Sequence, residues 1–135
     1  MSEATSQLPR ARPPSGPTIL VVDDDRMMRA LIGGALRAEG YQVEFAASLA
    51  EARQLLPSLA PSLDLLLTDV VMPGGMGPDL VAEIRRAHRW IRVLYMSAHA
   101  SADLQKHGID LGDAPLLQKP FMPSELAARV REVLG

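Results

Sequence analysis

Cysteine is absent from the 135-residue chain, which rules out a disulfide framework, a thiolate nucleophile and a thiolate metal site. A chain without thiols fits a reducing compartment. No run of about 18 consecutive apolar residues occurs, so no membrane-spanning helix is expected, and the N-terminus lacks the charged-then-apolar layout of a secretory signal. These absences point to a cytoplasmic protein that does not engage a membrane. Nor does any stretch concentrate Lys and Arg. With 14 basic against 16 acidic residues the net charge is -2, so the electrostatic footprint of a direct nucleic-acid binder is missing. No internal repeat is evident, and the glycines at 74–77 lack the Gly-Lys-Ser/Thr ending of a phosphate-cradling P-loop. What is present is 47% hydrophobic content, enough for the core of one domain.

Residues 1–17 hold four of the eleven prolines and almost nothing large and apolar except Leu8. A disordered leader is expected there, with Arg10 and Arg12 as solvated charges, ahead of a single domain over 18–135. Residues 18–22 read as a continuously apolar strand ending in Asp23-Asp24-Asp25. The spacing of Met28, Leu31, Ile32, Ala35 and Leu36 predicts a helix over 26–39, capped by Asp24 or Asp25 and stopped by Gly40. Gly33 and Gly34 inside it each cost about 1 kcal/mol against alanine, which suggests close packing on a neighbour. A short strand over 42–46 follows, and Ser48 with Glu51 three residues on is a capping-box pattern opening a helix over 49–56, with a loop over 57–62.

Leu65-Leu66-Leu67 then shows no alternation, as in a parallel strand covered on both faces, and the run ends in Thr68-Asp69 before breaking into a Pro/Gly loop to Gly77. Pro78 suits the first turn of the next helix, which runs to about Ala87. A fourth strand over 91–96 ends in Ser97-Ala98-His99. Residues 101–107 form a weak helix with only Ala102 and Leu104 to bury. A fifth strand over 115–117 is closed by Gln118-Lys119-Pro120-Phe121, and a last helix over 123–134 turns Leu126, Val130, Val133 and Leu134 inward behind Met122, a poor cap. Five strands alternating with five helices predict an α/β fold, a doubly wound parallel sheet flanked by helices.

In such sheets chemistry gathers outside the carboxyl ends of the strands. Four strands here end in Asp23/Asp24, Asp69, Ser97 and Lys119. Singly, each is an ordinary cap or surface residue; together they form a set. Two carboxylates ~4 Å apart repel by about 4 kcal/mol at an effective dielectric near 20, so clustered acids require a cation beyond one lysine. A hard divalent ion, Mg²⁺ by preference, takes carboxylate and water oxygens and leaves positions for a phosphate oxygen. A carboxylate nucleophile that becomes an acyl phosphate fits that set.

On Val22-Asp23-Asp24, Thr68-Asp69-Val70-Val71-Met72-Pro73, Ser97-Ala98 and Lys119-Pro120-Phe121, the 118 residues from Thr18 onward resemble the receiver domain of two-component response regulators. The segments Val70-Val71-Met72-Pro73-Gly74-Gly75 and Leu117-Gln118-Lys119-Pro120-Phe121 are most similar to receivers of hybrid sensor histidine kinases. The resemblance implies a flavodoxin-like fold with strand order 2-1-3-4-5. It implies Asp69 as phosphoacceptor, with Asp23, Asp24, Asp69 and the backbone carbonyl of Val71 holding Mg²⁺. Ser97 would bond the phosphoryl group and Lys119 pair with it, held by a cis peptide before Pro120. The donor would be a histidine kinase or a histidine phosphotransfer protein, the product a signalling switch more than an enzyme. A homodimer through the last two helices and the fifth strand is left open. No kinase or output segment accompanies the receiver, so a stand-alone regulator is expected, with a phosphate sink in a phosphorelay as the alternative.

Two departures stand out. Leu116 occupies the place of an aromatic common in receivers, and Ser97 that of the commoner threonine. The switch is therefore expected to run through the backbone of residues 98–114. Two other readings are weaker. Asp23 and Asp25 after a strand resemble the nucleophile motif of haloacid-dehalogenase-type phosphatases, but Met27 stands where that family has Thr or Val, and Asp69 goes unexplained. A pseudo-receiver that only binds partners conflicts with the intact acceptor, acidic pair and lysine. His88, His99 and His107 have no metal-ligand spacing and read as surface histidines.

Overall fold

In a computed structural model the described residues are 16–135, so the leader expected over 1–17 lies, but for Gly16 and Pro17, outside them. The sheet strands are β1 (Thr18–Val22), β2 (Gln42–Ala46), β3 (Leu63–Asp69), β4 (Arg92–Ser97) and β5 (Leu116–Gln118). They pair in parallel in the order β2-β1-β3-β4-β5, as expected. The helices are α1 (Arg26–Ala38), α2 (Leu49–Leu59), α3 (Gly77–Ala87), α4 (Ser101–Lys106) and α5 (Pro123–Leu134).

The saturated apolar strands have a simple cause. Ile19, Val21, Leu65, Leu67, Leu94 and Met96 face α1 and α5, while Leu20, Val22, Leu66, Val93 and Tyr95 face α2, α3 and α4. Each face of every central strand is thus buried, and Leu65, Leu66 and Leu67 are wholly inaccessible. At roughly 2 kcal/mol per fully buried leucine, β3 is the axis of both cores. Asp25 is the cap of α1, its Oδ1 accepting from the Met27 and Met28 N–H groups at 2.9 and 3.2 Å, and Gly40 adopts φ +93° just beyond the helix end.

Several local expectations are corrected. α2 continues through Pro57 to Leu59 and a 3-10 turn, Ala60–Ser62, instead of stopping at Leu56. Leu55, Leu56 and Leu59 pack on the α2/α3 core, and that burial outweighs the one backbone hydrogen bond the proline forfeits. Ser48 Oγ does accept from the Glu51 N–H at 3.0 Å, but the Glu51 carboxylate reaches the N–H of Ala47, one residue before the cap. The loop after Asp69 contains a two-stranded antiparallel ribbon pairing Val71–Met72 with Gly75–Met76. In α4 only Leu104 is buried and Ala102 is exposed; Ile109, Leu111 and Ala114 supply the anchors that follow it. β4 and β5 each begin and end one residue later than expected.

Gly33 does pack closely, since a Cβ there would lie 2.4 Å from Phe45 Cζ, whereas Gly34 has open space around it. Basic residues are concentrated after all. Arg85, Arg86, Arg89 and Arg92 fall within eight residues of sequence and are all exposed, at the end of α3 and the start of β4.

Candidate functional site

Strand register brings the polar strand ends to one edge. Val22 pairs with Thr68, Asp69 with Met96, and Ser97 with Gln118, so the residues just beyond β1 and β5 stand beside the ends of β3 and β4. The Lys119 N–H donates to the Ser97 carbonyl at 2.7 Å, and the Lys119–Pro120 peptide is cis. Lys119 Nζ lies 2.7 Å from Asp69 Oδ1 and 2.9 Å from Asp23 Oδ2. Carboxylate oxygens of Asp23, Asp24 and Asp69 lie within 4.8 Å of one another. Asp23 and Asp69 are buried and Asp24 is exposed.

Three carboxylates against one ammonium leave uncompensated negative charge. Burial, with Asp23 alongside, pushes the Asp69 carboxyl up to about 7 although Lys119 pulls the other way. Burial opposes the Lys119 ammonium too, but its hydrogen bonds to Asp69 and Asp23 outweigh that and hold its pKa above the ordinary lysine value. Hard oxygen donors in excess of their cation fit a divalent ion of the Mg²⁺ class. Asp23 is already oriented for that role. Its Oδ1 accepts from the Asp25 N–H at 2.9 Å and its Oδ2 from Lys119, leaving lone pairs on both oxygens.

Of the residues singled out from sequence, Asp23, Asp24, Asp69, Val71, Ser97 and Lys119 line a single cavity, joined by Asp25 and His99. The Asp25 carboxylate is committed to the N-terminus of α1, which removes it from the chemistry a haloacid-dehalogenase reading would need. Ser97 is buried; its Oγ accepts from the His99 N–H at 2.9 Å, and its own hydroxyl hydrogen is unclaimed among the described residues. His99 and His107 are exposed, but His88 is half-buried and its Nε2 meets the Leu63 carbonyl at 3.0 Å.

Two supporting residues escaped the sequence reading. Arg29 Nη1 donates to the Asp23 carbonyl at 2.8 Å, pinning the acidic turn to α1; an arginine on the helix that follows is the only signal, and it is weak. Gly77 opens α3 so close to β3 that a Cβ would come 2.2 Å from the Asp69 carbonyl oxygen. That same oxygen accepts from the buried Thr68 hydroxyl at 3.1 Å. The Asp69 backbone is therefore clamped on two sides.

The family model of the response regulator receiver domain matches residues 19–131. The chain belongs to this family. The transcriptional regulatory protein CpxR of Klebsiella pneumoniae is 40% identical over 116 residues, 86% of this chain and 48% of its own length. This receiver chain thus spans about half the length of that curated relative. The solved structure of the chemotaxis protein CheY4 of Vibrio cholerae aligns with a TM-score of 0.78 at 27% identity, over 88% of this chain and 99% of that one. The receiver domain of the hybrid histidine kinase CckA aligns with a TM-score of 0.72 at 33% identity, over 87% and 99%. The flavodoxin-like strand order and the five flanking helices are those of this fold.

Proposed function

We propose that the receiver takes a phosphoryl group from a phosphohistidine, on a histidine kinase or a histidine phosphotransfer protein, onto Asp69 and changes a partner-binding surface in response. The observation that carries this reading is the Lys119 ammonium held between Asp69 and Asp23 at the mouth of a cavity whose acids exceed their cations. An Asp69 carboxylate oxygen attacks phosphorus as the P–N bond to the donor imidazole breaks; the electron pair leaves with the imidazole nitrogen and an acyl phosphate remains on Asp69. Lys119 exchanges part of its contact with Asp69 for a phosphoryl oxygen, and the Ser97 hydroxyl donates to another. Asp23, Asp24, Asp69 and the Val71 carbonyl would hold Mg²⁺, which when bound offsets charge on the carboxylates and the phosphoryl oxygens.

Access suits a protein donor. Met27 is 82% exposed, Val71 55% and Met122 63%, on the elements that follow β1, β3 and β5. Leu31, one turn beyond Met27 on α1, is also exposed. Apolar side chains in water around an acidic mouth favour a partner that covers them. No helix among the described residues is long and apolar enough to cross a membrane, and the proposal places the receiver in the cytoplasm. It concerns the receiver unit, whichever chain carries it.

Drawing the Ser97 hydroxyl towards the phosphoryl group shifts the backbone that leads into α4, a six-residue helix that buries only Leu104. Half-buried Leu116 packs on the same core and offers no aromatic to rotate, so the response is assigned to residues 98–116. Hydrogen exchange tests this directly. Beryllofluoride with Mg²⁺ should change protection most in 98–116 and little in α5, and Asp69→Asn should abolish the change. Changes confined to the loop after Asp69 would instead support a passive phosphate store in a relay, the second reading.

A further inference from the structure

At the opposite edge of the sheet, the turn between α3 and β4 carries a second surface. Trp90, the chain's single tryptophan, is 81% exposed, although the turn that presents it is firmly held. His88 Nε2 meets the Leu63 carbonyl at 3.0 Å, Arg85 Nη2 donates to the Ile91 carbonyl at 3.2 Å, and the Ile91 side chain is buried. A pinned turn that leaves its largest apolar side chain in water keeps indole area available for burial. The Arg89 guanidinium stacks over the ring, 5.5 Å from its centroid, and exposed Arg92 opens β4 beside it. Neither Arg89 nor Arg92 forms an ion pair among the described residues. Across the cavity that they line lie Leu111, Pro115 and Val133, with Asp113 on the rim.

We propose that this cavity docks an acidic polypeptide segment, seating an apolar side chain against Trp90, Leu111 and Val133 while its carboxylates pair with Arg89 and Arg92. Tryptophan and arginine are the residues most enriched at interface hot spots, and a guanidinium fork matches a carboxylate in two parallel hydrogen bonds. Tight salt-dependent binding of nucleic acid takes about six to ten phosphate contacts; this cavity offers fewer cations, contains Asp113, and belongs to a chain of net charge -2. Residues 1–15 are a poor occupant, since they carry Arg10 and Arg12 against the single acid Glu3. In a second copy the acidic cluster of Asp23, Asp24 and Asp69 lies at the far edge of the sheet, and a contact with it would propagate into an open chain. The inference does not rest on the phosphoacceptor reading. A partner held here would leave the mouth at Asp69 open.

The test is fluorescence anisotropy of a labelled helical peptide built from Glu and Leu, titrated with the full chain. The same peptide with Lys for Glu, and an oligothymidine, serve as comparators. The Glu/Leu peptide should bind in preference to both, with a blue shift of Trp90 emission, and weaken with salt. Trp90→Ala should weaken it by about thirtyfold and Arg89→Glu or Arg92→Glu by about tenfold, with thermal unfolding unchanged because all three side chains are exposed. Equal binding of the Lys peptide that Trp90→Ala weakens as much, tighter binding of oligothymidine that the same substitution weakens, or a Glu/Leu affinity indifferent to these substitutions would overturn the proposal. So would concentration-dependent self-association that Trp90→Ala abolishes, which would make the occupant a second copy.

Discussion

At the carboxyl edge of the sheet, three carboxylates and one ammonium are drawn within a few ångströms of each other, and two of the acids are buried. At the amino edge, the Arg89 guanidinium stacks over an exposed indole, and Arg85 and Arg92 line the same cavity. β4, running from Arg92 to Ser97, connects the two over about 17 Å. Charge in the first region is interdependent: removing one member leaves another unbalanced where water cannot compensate. Charge in the second is nearly independent, so Arg89 and Arg92 can be changed one at a time with little consequence for the fold, whereas Arg85 also holds the turn through the Ile91 carbonyl. The first arrangement suits making and breaking a bond to phosphorus, the second suits recognition.

The largest expected effect breaks the contrast at Lys119. Lys119→Ala leaves Asp23 and Asp69 facing each other without a cation and should cost roughly 3 kcal/mol of stability at pH 8, against less than about 0.5 kcal/mol for Arg92→Ala at the other edge. Urea denaturation gives both numbers. Equal effects would mean that the buried charges are not coupled as described. Lys119→Ala should still bind Mg²⁺ yet fail to propagate activation.

Next comes pH. Because the folded Asp69 carboxyl sits at about 7 and an unfolded one near 4, the folded receiver retains a proton over this interval that the unfolded chain has released. Its stability without metal should therefore fall as pH rises through that window. The groups that face Asp69 are Asp23, Asp24 and Lys119, and Lys119 stays protonated throughout. Urea midpoints measured across the window should decline in the native receiver and stay flatter in Asp69→Asn. A native profile as flat as that of the variant would remove the electrostatic account of the site.

Asp24→Ala acts on the exposed member of the cluster, so the fold should hold while Mg²⁺ affinity drops by about tenfold or more. Calorimetry that finds the affinity unchanged would exclude Asp24 from metal binding. The smallest effect is a pair of opposite sign away from both edges. Gly34→Ala, with open space around it, should raise stability by nearly 1 kcal/mol, whereas Gly33→Ala should lower it by driving a methyl group into Phe45. Melting both variants compares them directly.

Much of this was legible in the residues, for reasons the structure makes plain. Strands covered on both faces lose their alternation, so β1, β3 and β4 stood out as apolar runs, and an acid or a hydroxyl ending each run, with a lysine after β5, marked the edge where chemistry gathers. Asp23, Asp24, Asp69, Ser97 and Lys119 meet there. What was illegible depended on packing between distant segments. Pro57 reads locally as a helix stop, but Leu55, Leu56 and Leu59 need α3 beside them before the helix can continue. Gly33 and Gly34 are alike in sequence, and only the approach of Phe45 separates them. Arg29 and Gly77 act on backbone carbonyls, which no side-chain pattern announces. The arginines at 85–92 were visible but averaged away in a net charge of -2; it is the turn that brings Arg85, Arg89 and Arg92 into one cavity with Trp90.

Mass spectrometry of the receiver after incubation with acetyl phosphate and Mg²⁺ shows whether Asp69 accepts the phosphoryl group. The mass should rise by one phosphoryl group, mapped to Asp69 after borohydride reduction of the acyl phosphate, and the rise should vanish with EDTA or in Asp69→Asn. Persistent labelling in Asp69→Asn, or a label mapped to Asp23 or Asp25, would contradict the account.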